Sequence, residues 1–263
     1  MKVMIFLERG NPPRLNQVYA DAFTLLEQRG IQCRLIYPEE QLIALDALKV
    51  EADLYLLKSD SELSLSLATA LEAMGGHILN SARASRLAKN KVLASSILSS
   101  AGLPAPRSVA GATPAQVAAL FEHESIIFKP YRGYHGVGIT VAHQGATLPA
   151  PTDYQDVVFA QEYLGAARKD LKVFVIGEHV FGVRKEFAAD SYLQAGAPTE
   201  LSTEVDDIVR RCGKAFGLEL YGLDIAEDER GLFIIDVNYL PGYRGIPDAS
   251  RLLAEHIISA LRK

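Results

Sequence analysis

The chain has 263 residues, of which 49% are hydrophobic and 22% charged, with a mean hydropathy of +0.08; this is the composition of a globular protein with a real core and excludes disordered, collagen-like and fibrous classes. Lys and Arg number 27 against 32 Asp and Glu, a net charge of -5, so the broad basic field needed to bind nucleic acid or an anionic membrane is excluded. An anionic ligand must be held by a few placed cations, and the length accommodates one large domain or two to three small lobes.

Cys33 and Cys212 lie far apart without CxxC spacing, which indicates neither a disulfide framework nor a zinc site. The first apolar run turns polar at Glu8, too soon for a secretion signal, and no apolar segment approaches membrane-spanning length. A reducing, cytoplasmic setting is the expectation.

In chain order, Val3 to Leu7 reads as a strand and Leu15 to Arg29 as an amphipathic helix ended by Gly30. Cys33 to Tyr37, Leu54 to Leu57 and His77 to Leu79 are further strands, with a helix over Leu63 to Met74. Strands alternating with helices predict a small parallel α/β lobe over residues 1–84. A single helix is predicted from Ser85 to Ala101, stopped by Gly102, Pro104 and Pro106. Thr113-Pro114 caps a helix over Ala115 to Glu122, and Ser125 to Phe128 returns to strand. The stretch KPYRGYHGVGITVA then reads as strand, glycine turn and strand, a hairpin whose tip closes over a ligand. After Leu148 to Pro151, strands are expected at Val157 to Ala160, Leu171 to Ile176 and Val180 to Val183, and a helix from Thr203 to Phe216 capped by Ser202 or Thr203 and closed by Gly217. Two strands, Leu220 to Ala226 and Leu232 to Val237, and an amphipathic helix, Asp248 to Leu261, complete the chain.

Asp236 and Asn238 are two apart on one strand and so project from the same face, while Asp224 lies on the preceding strand, its expected partner. Three oxygen-bearing side chains converging in an apolar setting suit a hard cation such as Mg²⁺ rather than zinc; capping of strand ends is the alternative. Lys129, at a strand end before a glycine turn, can reach phosphate oxygens as a point charge, or can be a solvated lysine at a hairpin. The turn is not a Walker A loop and does not open a helix as a dinucleotide fingerprint requires.

Four stretches in this order, NSARASRLAKNKVLASSILSSAGLPAPRS, IIFKPYRGYHGVGITV, FAQEYLGAARKDLKVFVIGEHVFGVRK and YGLDIAEDERGLFIIDVNYLPGYRG, resemble the ATP-grasp superfamily over residues 80 to about 245. The resemblance implies an α/β fold of three lobes: a Rossmann-like N-terminal lobe (1–84), a central lobe (85–156) and a C-terminal lobe (157–263), with MgATP gripped between the last two. It implies that Lys91 and Lys129 are the nucleotide lysines and that Gly133, His135, Gly136 and Gly138 belong to the closing phosphate loop. Main-chain groups near Glu162, Tyr163 and Leu164 would meet adenine, with Asp170 a ribose or network residue. Lys172 and Arg184 would face the triphosphate or a developing acyl phosphate, and Asp224, Asp236 and Asn238 would hold Mg²⁺, two ions in all, with Mn²⁺ as a substitute. His135 can donate to a phosphate oxygen as the loop closes, since its unperturbed pKa is near ~6.5; an exposed loop histidine is the plain alternative.

Two subfamilies compete. The GxxGxG loop and the DLK segment resemble RimK-type carboxylate-amine ligases, which capture an acyl phosphate with an amine or, in a variant, a thiol. DVNYLPGYRGIPD and KVFVIGE resemble inositol trisphosphate 5/6-kinases, in which a hydroxyl takes the phosphate. The chain lacks the R-x-N element of the ligases after Arg184, and it carries a glycine-rich loop that the kinases lack. The ligase reading is preferred, with the kinase as alternative and a non-catalytic nucleotide-binding protein as a third. The implied partner is a small molecule or peptide, with no nucleic acid or membrane, and a homodimer is compatible. Arg244 is a candidate for an acidic substrate group; Tyr239 and Tyr243 either line that pocket or pack.

Overall fold

The computed structural model describes residues 1–8, 15–121, 125–132, 138–143, 148–149, 157–165, 169–184 and 197–263. Gly133, His135 and Gly136 of the expected phosphate loop lie outside them.

The N-terminal strands β1 (Lys2–Leu7), β2 (Gln32–Ile36), β3 (Leu54–Lys58) and β4 (Ile78–Leu79) form a parallel sheet in the order β2-β1-β3-β4. Helices α1 (Gln17–Gln28) and α2 (Glu62–Ala73) connect them, capped by the Asn16 and Ser61 side chains, which accept from Tyr19 N and Ser64 N. Apolar runs in β1 and β3 are buried on both faces, as a covered parallel sheet requires: Val3, Ile5 and Leu7 meet α1, while Met4 and Phe6 pack with Leu65 and Leu71 of α2.

The stretch expected to be one helix is two, α3 (Ala82–Lys89) and α4 (Lys91–Ser100). Asn90 breaks them with φ -95 and ψ 110, and its side chain accepts from Val92 N and Leu93 N, satisfying donors that open α4. Asparagine competes for the backbone in this way, and a 3.6-residue apolar period running through the break conceals it.

The central sheet contains β5 (Ser108–Gly111), β6 (Ile126–Pro130), β7 (Thr140–Ala142) and β8 (Val158–Glu162), in the order β5-β8-β6-β7, with the short α5 (Pro114–Ala118) beneath it. The β6–β7 hairpin is the expected one. β5 was not anticipated, and β8 pairs with β5 and β6, so a lobe boundary at residue 157 would cut through this sheet.

The last sheet is antiparallel, ordered β11-β10-β9-β12-β13, from β9 (Lys169–Ile176), β10 (His179–Arg184), the unanticipated β11 (Ala197–Thr199), β12 (Leu220–Asp228) and β13 (Gly231–Tyr239). One face, with Leu171, Val173, Leu223 and Ile234, buries α3, α4 and α6 (Thr203–Phe216). The other, with Phe174, Ile176 and Leu220, shares a core with α1, the N-terminal strands and α7 (Ala249–Ala260). The N-terminal and C-terminal lobes thus share one core, while the central sheet has its own. The two bodies meet along the edge where Lys129 and β13 lie.

Candidate active site

Strand pairing aligns Lys172 of β9, Asp224 of β12 and Asp236 of β13 in one row across three adjacent strands. Paired residues share a face, and Asn238, two residues on, joins them opposite Gly222, which presents no side chain. The register slips by one between Asp224 and Ile225, so that Ile225 pairs with Ile234 and Ile235 becomes a β-bulge. A bulge re-aims its neighbours and frees a carbonyl; Ile235 O accepts from Lys129 Nζ at 3.2 Å.

The cluster alternates charge. Lys172 Nζ lies 2.9 Å from Asp224 Oδ1, Lys91 Nζ 2.7 Å from Asp236 Oδ1, and Asn238 Nδ2 donates to Asp224 Oδ2 at 3.2 Å. Lys129, 8% exposed, donates to Gln161 Oε1 at 2.6 Å. Burial pushes the Asp236 carboxyl up, but the ammonium groups of Lys91 and Lys129, and then Lys172, outweigh it and hold the group below the usual carboxylate range. Burial likewise opposes charge on Lys172, and Asp224, with Asp236, overrides it and raises the ammonium above its ordinary value. Three ammonium groups against two carboxylates leave the cluster positive, suited to a polyphosphate accompanied by a divalent ion.

Among the described residues no group of three or more His, Cys, Asp or Glu side chains gathers in a metal-binding arrangement. Two carboxylates and one amide are nevertheless a fitting donor set for Mg²⁺, which takes one or two carboxylates and completes its octahedron with water and phosphate oxygens. Asp224, Asp236 and Asn238 would hold the ion, and the ion would supply positive charge to the phosphates.

The expected adenine hinge follows β8. Glu162 N donates to Arg107 O and Tyr163 N to Ser125 O, both at 2.9 Å, so of the three hinge amides Leu164 N is the one these bonds leave for a base. The Glu162 side chain pairs with Arg230 in the β12–β13 turn, where Asp228 also holds the guanidinium at 2.8 Å. Asp170 sits two residues before Lys172 on the same face. Gly138 has φ +75, and a Cβ there would meet Pro130 Cγ at 2.8 Å, so the turn into β7 requires glycine.

Arg184 is not brought to this cluster. It pairs with Leu171, one step from the Lys172 row, and strand alternation puts it on the opposite face, where Nη1 is 3.8 Å from Glu227 Oε2. Tyr243 packs: it is fully buried and donates to Val175 O at 2.9 Å. Tyr239 places its hydroxyl 2.7 Å from Ser59 O. The loop between them is tied to the N-terminal lobe by Tyr19 OH to Pro241 O at 2.6 Å, Asn16 Nδ2 to Gly242 O at 2.7 Å and Lys58 Nζ to Leu240 O at 2.7 Å. Arg244 thereby lines, with Leu15, Asn16, Gln17 and Val18, a cavity of about 370 Å³.

Gln161, Arg230 and the Ile235 bulge escaped the sequence reading. A buried polar residue in the apolar run VFAQE was the available signal for Gln161; Arg230 and Ile235 act only through strand pairing.

A family model for the RimK-like ATP-grasp domain matches residues 88–261. A probable alpha-L-glutamate ligase of Xanthomonas campestris pv. campestris (strain 8004) is 27% identical over 212 residues, 73% of each chain. A RimK domain ATP-grasp protein from Sphaerobacter thermophilus has the same fold, with TM-score 0.79 and 16% identity over 98% of this chain and all of that one. So does the ATP-grasp ligase PsnB complexed with a minimal precursor, Mg and ADP, with TM-score 0.69 and 20% identity over 99% and 98% of the two chains.

Proposed function

Because this chain belongs to the RimK-like ATP-grasp family, we propose that it is an ATP-dependent, ADP-forming ligase that joins a carboxylate to an amine. The observation that carries the reading is the row Lys172, Asp224 and Asp236, with Lys91 and Lys129 converging on its end. Phosphoryl transfer asks a protein for position and charge neutralisation rather than covalent chemistry, and this cluster supplies both. The substrate carboxylate attacks the terminal phosphate of ATP; the amine then displaces phosphate from the resulting acyl phosphate.

Lys91 and Lys129 hold phosphate oxygens, and Lys172 neutralises charge on the transferring group. Asp224, Asp236 and Asn238 hold Mg²⁺, as a pair of ions for which Mn²⁺ substitutes. Leu164 meets adenine through its main chain, Glu162 is fixed by Arg230, and Asp170 borders the ribose. Gly133, His135, Gly136 and Gly138 are assigned to binding the phosphates. Arg244, beside its cavity, takes an acidic group of the substrate.

The relatives named above as ligases support ligation over phosphorylation of a hydroxyl, and the kinase-like segment around Pro241 and Gly242 has no counterpart in those names. The substrate is a small acid or a peptide; the curated relative is called a glutamate ligase, and PsnB holds a precursor. No helix among the described residues is long and apolar enough to cross a membrane.

Incubation with MgATP and panels of carboxylates with amines, and separately of polyols, distinguishes the readings by product mass. Ligation gives a product lighter by one water than its combined substrates, with stoichiometric ADP. Robust turnover yielding only stable phosphate esters would contradict it.

A further inference from the structure

A closed ring of contacts runs through the strand expected to hold the metal. Asp236 binds Lys91 Nζ at 2.7 Å, and the main chain passes through Asn90 to Lys89. Lys89 Nζ is 3.6 Å from Asp60 Oδ1, and the same oxygen is 3.0 Å from the hydroxyl of Tyr239. Tyr239 follows Asn238, and two further residues along β13 return the path to Asp236.

The links are held from different lobes. Asp60 follows β3, and its amide donates to Glu8 Oε2 at 3.3 Å, just beyond β1. In the order β2-β1-β3-β4 the ends of β1 and β3 form the switch point where open α/β sheets take ligands. Asn90 caps α4 while Lys91 N donates to Tyr131 O at 2.8 Å, which ties the tripeptide Lys89-Asn90-Lys91 to the central lobe. The Lys89 and Asp60 side chains are only 10% and 18% exposed, so solvent screens their attraction little.

We propose that Lys89, Asp60 and Tyr239 are positioning residues through which the parallel-sheet lobe fixes the placement of Asp236 and Asn238. This rests on the reading of those two residues as Mg²⁺ ligands. Lys89 neutralises Asp60, and the Tyr239 hydroxyl pins the end of β13 to the chain at Ser59 and Asp60. Residues that orient metal ligands change metal affinity by about ten- to a hundredfold when removed.

The test is calorimetry on the full chain: ATP in the presence of EDTA, then Mg²⁺ into the ATP complex, for wild type, Lys89→Met, Tyr239→Phe, the double variant and Lys89→Arg. Affinity for metal-free ATP should stay within about twofold throughout, whereas each single variant weakens Mg²⁺ about tenfold. The double variant should be no worse than the singles, because both act through the Ser59-Asp60 segment, and Lys89→Arg should restore most of the affinity. Mg²⁺ affinity within about twofold of wild type in both single variants overturns the proposal, as does an equal loss of metal-free ATP binding, or losses that multiply in the double variant. Tyr239→Phe keeps the ring, so loss of fold in Lys89→Met would still leave a readable variant. ATP binding that is independent of Mg²⁺ in the wild type overturns the metal reading and this proposal together; Mg²⁺ dependence that the variants leave intact overturns this proposal alone.

Discussion

Lys129, 8% exposed, holds its ammonium group between a neutral amide oxygen and the carbonyl of a bulge. Burying that charge is costly unless it is paired and hydrogen-bonded, so a position that retains it has a use for it. Its place at a strand end was legible from the glycines that follow it, and the shared face of Asp236 and Asn238 from the local period of two. Gln161 was not, since its role arises from β6 and β8 lying side by side. Lys129→Met keeps the aliphatic stem and removes the charge. ADP formation should fall at least ~100-fold with the circular-dichroism spectrum unchanged, and Asp236→Asn should do the same; full activity in either variant would sink the site assignment.

The break between α3 and α4 shows what a helical period conceals. Apolar spacing continues across Asn90, yet the Asn90 side chain satisfies Val92 N and Leu93 N and turns the chain so that Lys89 and Lys91 address Asp60 and Asp236 respectively. The Ile235 bulge was equally hidden, since a bulge is a property of two strands and neither sequence alone carries it. Helix ends marked by Ser202 and Gly217 were readable because cap chemistry is local: Ser202 accepts from Val205 N, and Gly217 adopts φ 72. Asn90→Ala should cost about 1 kcal/mol, lowering the melting temperature by roughly 2–4 °C in calorimetry, and should weaken ATP binding by displacing Lys91. An unchanged melting temperature would show that the cap does not hold this break.

At the scale of the molecule, motif order announced three lobes, but which strands keep company was settled by pairing far along the chain. β8 joins the central sheet because it lies between β5 and β6, and the N- and C-terminal lobes fuse through one core. Asn80, 2% exposed, stitches that fusion: its amide donates to Leu220 O at 2.6 Å and accepts from Glu219 N and Leu220 N at 2.8 and 2.9 Å. Asn80→Ala would leave the buried Leu220 N without this acceptor, while Leu220 O keeps Leu240 N at 2.9 Å, and should destabilise the chain by about 1–3 kcal/mol, seen as a lower urea midpoint with a single transition, since the two lobes unfold together; a midpoint within error of wild type would contradict the shared body. With those lobes joined, the candidate cleft lies against the central sheet, where Lys129, Gln161 and Glu162 face β13 and its turn. The central claim is that this cleft activates a carboxylate by passing it the terminal phosphate of ATP. Its most direct test supplies an acid substrate labelled with oxygen-18 in the carboxylate, together with an amine and MgATP, and weighs the released phosphate by mass spectrometry. One labelled oxygen per phosphate is the predicted result; unlabelled phosphate, or a phosphoryl group left on the acceptor, would contradict it.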